Sequence, residues 1–190
     1  MAPSNNLNKL PKKLPIPRND GAASHLVGKQ IPRINLTTTD GGYFDIGKTV
    51  GKVVFYFYPM TGRPDVPLPP GWNEIPGARG CTPQSCSYRD HYKELVELGA
   101  EVFGLSTQST DYQKEMVERL HLPFPVLSDA QLKLASTLKL PTFKVAGMTL
   151  LKRLTMIVYS GTIKAIHYPV FPSDSDPHWV INYLKSDMSA

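Results

Sequence analysis

The stretch KVVFYFY at positions 52–58 constrains the fold more than any other part of the chain. After its lysine, every residue is β-branched or aromatic, and Pro59 ends the run. A strand with one wet face alternates polar and apolar residues. A continuous apolar run needs burial on both faces. The strand therefore belongs at the centre of a sheet with a covering layer above and below.

The flanking segments supply those layers. IPRINL (31–36) alternates like a short strand, and TTDGGYF carries a Gly-Gly turn signal. EVFGLS (101–106) predicts a second buried strand and FPVLSD a short one. RLTMIVY (153–159) and TIKAIHY (162–168) predict a hairpin turning at Ser160-Gly161. Helices are expected between them. One starts at Thr82-Pro83, with Thr82 as N-cap and proline at the first helical position, and stops at Gly99. Capping boxes at Thr110–Gln113 and Ser128–Gln131 open helices to about Leu120 and Leu138. Asp176-Pro177 opens a last helix, to about Lys185. MTLL near position 150 and the aromatic run read as core. This order predicts an α/β fold with a mixed central β-sheet flanked by helices on both faces. A cysteine at a helix start after the first core strand is a thioredoxin-like placement.

The 190 residues suit one domain. Residues 1–24 are polar and proline-bearing and read as an extended or flexible arm, followed by the domain at 25–186. Within it, residues 59–80 hold six prolines and four glycines in 22 positions, which excludes a regular element. A loop that long in a compact domain is functional or disordered. Trp72 either contacts a substrate or partner or pins this loop.

The net charge of +5 is spread out, apart from Lys9, Lys12, Lys13 and Arg18 in the arm. A nucleic-acid binder carries a denser basic stripe, so no nucleic-acid partner is expected. No apolar run approaches the ~20 residues of a membrane span, and no secretory h-region opens the chain, so no membrane partner and a cytoplasmic location are expected. In that compartment a disulfide is catalytic or redox-sensing more often than structural.

Both cysteines, Cys81 and Cys86, lie in PGARGCTPQSCSYRDHY. Two cysteines with no H-x3-5-H following do not make a zinc site. A Cys–His hydrolase using His91, His121 or His167 has no local signature. A reactive thiol fits better. A free cysteine, with a pKa of ~8.5, is only about 3% ionised at pH 7. A helix start favours the anion by roughly 0.3–1 kcal/mol, and a close arginine lowers a pKa by about 1–3 units. A cation must therefore supply most of the activation. Arg79 and Arg89 are local candidates. Arg153, opening an otherwise apolar strand, is either the thiol's partner or an arginine at a strand mouth paired with a surface carboxylate. Cys86 is either a second redox thiol or a small buried residue. Within one helix the two cysteines would be ~7.5 Å apart along the axis, so a disulfide needs the first turn to unwind.

These segments together resemble the peroxiredoxins, and among them the peroxiredoxin Q or bacterioferritin comigratory type. The likeness runs from about Asp20 to Leu184 through FYFYP (55–59), GCTPQSCSYRDHY, EVFGLSTQ, FPVLSD and KRLTMIVYSG. The resemblance implies a thioredoxin fold and a thiol peroxidase with no metal, flavin or other cofactor, acting on hydrogen peroxide and organic hydroperoxides. It implies that Cys81 is the peroxidatic and Cys86 the resolving cysteine of an intramolecular disulfide. It makes Arg153 the arginine that holds thiolate and peroxide, and Pro59 a residue shielding the site. A thioredoxin-like reductant closes the cycle, and the chain is expected to be a monomer. The family pattern has proline seven and threonine three residues before the cysteine, where this chain has Glu74 and Ala78. Pro59 stands 22 residues before Cys81. Thr61, folding back, or Thr82 then supplies the hydroxyl, with Thr61 preferred. The alternatives are a thiol–disulfide oxidoreductase without peroxidase activity, disfavoured by the lack of C-x-x-C, and a redox-sensing binding protein.

Overall fold

A computed structural model describes residues 6–188. Its strands are β1 (Asn35–Thr38), β2 (Tyr43–Asp45), β3 (Lys52–Phe57), β4 (Ala100–Ser106), β5 (Val126–Ser128), β6 (Thr142–Val145), β7 (Met148–Leu151), β8 (Leu154–Tyr159) and β9 (Thr162–His167). Its helices are α1 (Cys81–Asp90), α2 (Tyr92–Glu97), α3 (Thr110–Leu120), α4 (Lys133–Leu138) and α5 (Asp176–Met188). Seven strands form one sheet in the order β2-β1-β5-β4-β3-β8-β9. β3, β4 and β5 are parallel, and the remaining pairings are antiparallel.

β3 lies inside the sheet and splits its side chains between two cores. Val53, Phe55 and Phe57 face one that includes Leu134 and Leu138 of α4. Val54 and Tyr56, with Tyr58 just past the strand, face the other, with Tyr88, Leu95, Met116 and Leu184 from α1, α2, α3 and α5. The continuous apolar run thus serves both layers. Full burial of each such Val or Phe contributes about 1.5–3 kcal/mol relative to exposure.

Several boundaries differ from expectation. The first strand is Asn35–Thr38, and the Gly-Gly turn leads from it into β2. The helix expected from Thr82 begins at Cys81 instead, with Gly80 (φ 112°) before it. Thr82 is its second residue, not its N-cap, and Pro83 its third. Proline fits there because the first N–H groups of a helix lack partners in any case. The helix also breaks at His91 into α1 and α2. α3 is capped by Ser109, not Thr110. Ser128 stays in β5, and α4 starts only at Lys133 after left-handed Leu132. The Asp129 carboxylate, rather than a capping box, accepts from Leu134 N at 3.1 Å and Ala135 N at 2.8 Å. Periodicity did not reveal the β6–β7 hairpin, since only Leu150 and Leu151 of it are buried.

The 59–80 segment folds down rather than hanging free. It contains one 3-10 turn, Trp72–Glu74, after left-handed Gly71. Trp72 packs with Met60, Ala78 and Leu150, its ring 6.2 Å from that of Phe143. It therefore pins the loop. The arm is laid along the same side. Leu7 and Ala23 are buried, and Asp20 accepts from Lys152 Nζ at 2.6 Å and Tyr168 Oη at 2.7 Å.

Candidate active site

Cys81 occupies the first turn of α1, 3% exposed. Gly80 sets this position. A methyl group there would lie 2.3 Å from Ser173 Oγ, and a φ of 112° strains any other residue. Gln84 N donates to Gly80 O at 3.0 Å, the first bond of the helix.

Arg153 stands just before β8, and only 3% of it is exposed. Its Nη2 donates to Cys81 Sγ at 3.2 Å and to the carbonyls of Gly77, Ala78 and Arg79 at 3.2, 3.1 and 3.4 Å. Its Nη1 donates to Gln84 Oε1. The thiol donates to Ala78 O at 3.6 Å. Among the described residues no carboxylate forms an ion pair with this guanidinium. The loop before α1 wraps it with carbonyls instead, and the Nη2 that they hold also reaches the sulfur.

A buried carboxylate is reached through Gln84, whose Nε2 donates to Asp176 Oδ2 at 2.8 Å. A carboxylate only accepts, so it turns the amide's NH2 toward itself and the amide oxygen toward Arg153. Asp176 is fully buried and also accepts from Tyr88 Oη (2.9 Å) and Thr155 Oγ1 (2.6 Å), while His167 Nδ1 lies 2.8 Å from its other oxygen. Burial, with Asp176 alongside, pushes the Tyr88 phenol well above its ordinary pKa, so it stays a neutral donor. Tyr56 stacks on Tyr88 at 4.3 Å and donates to Ser85 Oγ at 3.1 Å. The sequence reading missed Gln84 and Asp176. Asp176 was legible only as a helix start, because its partners come from α1, β8 and β9.

The other sequence candidates sort by distance from the thiol. Cys86 is half-buried in the same helix, and both cysteines are free thiols. Burial pushes the Cys86 thiol upward in pKa, and nearby Arg89 partly opposes this. Arg89 therefore serves Cys86, and its Nη1 donates to Leu120 O at 2.8 Å. Arg79 donates through Nη2 to Asn6 O at 2.9 Å and lines the cavity beside Cys81. That cavity, about 10 Å³, is also lined by Thr82, Gly80, Met60, Gly62, Leu68, Trp72 and Leu7. Thr61 does not line it. Its amide and hydroxyl donate to Gln108 Oε1 at 3.0 and 3.3 Å. Pro59 is buried just past β3. A wider cavity of about 410 Å³ lies on the other side of the Gly77 loop, lined by Arg153, Pro76 and Ile16 but not by Cys81. Among the described residues no group of three or more His, Cys, Asp or Glu could hold a metal ion.

This geometry can hold a nucleophilic sulfur next to a fixed cation, with a second thiol one turn further along. Comparison with known proteins points the same way. Peroxiredoxin Q of Triticum aestivum, a chloroplastic protein, is 34% identical over 122 residues, covering 60% of this chain and 49% of its own length. Peroxiredoxin Q of Suaeda salsa is 26% identical over 160 residues, covering 84% and 67%. The chain spans about half the length of the first curated relatives it matches. Peroxidoxin BcpB from Mycobacterium tuberculosis superposes with a TM-score of 0.70 at 24% identity, over 85% of this chain and 98% of that one. PrxQ of Xylella fastidiosa does so at 0.70 and 17%, over 86% and 98%, a likeness of fold. The Redoxin family model matches residues 26–180, so the chain belongs to the Redoxin family, and the curated relatives it resembles are of the peroxiredoxin Q type.

Proposed function

We propose that this protein is a thiol-dependent peroxidase that reduces hydrogen peroxide and organic hydroperoxides. The observation that carries the reading is the contact of Arg153 Nη2 with Cys81 Sγ at 3.2 Å inside a buried pocket at a helix start. The Cys81 thiolate attacks the terminal peroxide oxygen. The O–O bond breaks, the leaving oxygen takes a proton to become water or alcohol, and Cys81 becomes a sulfenic acid. Charge builds on the leaving oxygen, and a fixed guanidinium with neighbouring N–H groups suits it. Full ionisation of a thiol with pKa ~8.5 raises its thiolate content only about 30-fold, so any larger acceleration comes from this transition-state stabilisation. Thr82 is the better placed of the two hydroxyls, since it lines the cavity with the thiol while Thr61 is engaged with Gln108.

Cys86 then attacks the sulfenic sulfur, water leaves, and a Cys81–Cys86 disulfide forms. A thioredoxin-like dithiol reduces it. The reading takes the chain as a cytosolic monomer. The test is peroxide consumption coupled to thioredoxin, thioredoxin reductase and NADPH. Cys81→Ser abolishes turnover. Cys86→Ser permits a single oxidation and turns over poorly. Arg153→Met slows Cys81 oxidation at least 100-fold. Wild-type turnover by Cys81→Ser sinks the mechanism, and a slowing below threefold removes Arg153 from it.

A further inference from the structure

The small cavity beside Cys81 is partly walled by a residue from the N-terminal arm. Leu7 is 7% exposed although it lies in a polar arm, and it lines this cavity together with the thiol. It packs on Gly62, where a methyl group would sit 2.8 Å from Leu7 Cδ2. The arm is tied on both sides of it. Arg79 Nη2 holds Asn6 O at 2.9 Å, and Leu10 packs on Gly80, where a methyl group would lie 2.9 Å from Leu10 Cδ2. With Leu7 in place the space is about 10 Å³, room for about one water-sized molecule. Hydrogen peroxide is only slightly larger than water, whereas a branched alkyl hydroperoxide needs several times that room.

We infer that Leu7 is a specificity-determining residue, a size filter that admits hydrogen peroxide to Cys81 and holds back bulky hydroperoxides. Removing its side chain merges the space it fills with the cavity and lets an alkyl group sit against Gly62. The inference rests on the peroxidase reading for its substrate, but the closure itself is a property of access to the sulfur. Two measurements on the full chain separate the two.

The first compares kcat/KM for tert-butyl hydroperoxide and hydrogen peroxide. Leu7→Ala raises the ratio of the bulky to the small substrate at least fivefold, and a ratio within twofold of wild type overturns the filter. The second needs no peroxidase activity. In a Cys86→Ser background, the rates at which iodoacetamide and the larger N-ethylmaleimide alkylate Cys81 are compared with and without Leu7→Ala. The maleimide rate relative to the iodoacetamide rate rises at least fivefold if Leu7 closes the site; an unchanged ratio overturns the closure. Absence of peroxide turnover by the wild-type protein, with the alkylation effect present, refutes the peroxidase reading and leaves the closure standing.

Discussion

At the scale of single residues, the site holds two thiols in different surroundings. Cys81 meets a guanidinium that is held by three loop carbonyls and one amide. Cys86 is half-buried, and burial pushes its pKa above the ordinary thiol value. The sign of the consequence is definite. A raised pKa leaves little Cys86 thiolate at pH 7, and below that pKa the thiolate fraction grows about tenfold per pH unit. Formation of the disulfide after a single oxidation should therefore accelerate by roughly that factor per unit between pH 6 and 8. Rapid-mixing acid quench and mass spectrometry read this, and a flat profile shows that Cys86 ionisation does not limit the step. Gln84 explains why the arginine is so well fixed: it joins the buried Arg153 to the buried Asp176 without letting the two charges pair directly. The motif around Cys81 and the isolated Arg153 were legible in the sequence. Gln84 was not, because a glutamine on a helix carries no signal until its neighbours are known.

At the scale of elements, α1 is positioned from its N-terminus. Gly80 brings the chain past Ser173 with no room for a side chain and places Cys81 in the first turn. Replacing it combines a disfavoured left-handed backbone with overpacking, about 2–5 kcal/mol together. Gly80→Ala should lower the urea midpoint accordingly and pull Cys81 away from Arg153; an unchanged midpoint refutes the close fit. The helix end is secured by α5, whose Asp176 gathers Gln84, Tyr88 and Thr155. The arm is fastened by Asp20, whose carboxyl Lys152 and then Tyr168 hold well below the usual carboxylate range. A lowered carboxyl pKa adds stability above the unfolded value, lost as pH falls through the folded one. This exposed clasp therefore persists at neutral pH, and salt weakens it before acid does. The periodic helices and the apolar strands were readable from spacing. The starts of α1 and α4 were not. Each is set by a glycine, a left-handed residue or an upstream carboxylate, features that look like ordinary loop chemistry in the sequence.

For the whole molecule, the sheet and the site are built differently. β3 and its neighbours are buried in two cores; α1 joins one of them through Cys81 and Tyr88, while the arm is held at the start of α1 by the Arg79–Asn6 bond. Both cysteines lie in α1, so a disulfide between them requires part of that helix to open. Segments that move in function come from the low-stability end of a fold. Amide hydrogen exchange on oxidised against reduced protein should thus show lost protection in residues 81–90 and in the arm at 6–20, with β3, β4 and β8 unchanged. Protection that stays equal in both states would mean the disulfide does not form by opening α1.

The sequence by itself determined the layered α/β class and the central strand, and it singled out Cys81 and Arg153 as the pair to look for. These rest on local chemistry: a two-face apolar run, a helix start, and a charge entering a buried strand. Tertiary structure alone decided that Arg153 reaches the sulfur, that Asp176 stands behind Gln84, that Thr82 rather than Thr61 lines the thiol's cavity, and that Leu7 lines it too. Each of these joins residues distant in the chain. Such contacts depend on the shape of the packed fold, and no local pattern of residues encodes that shape.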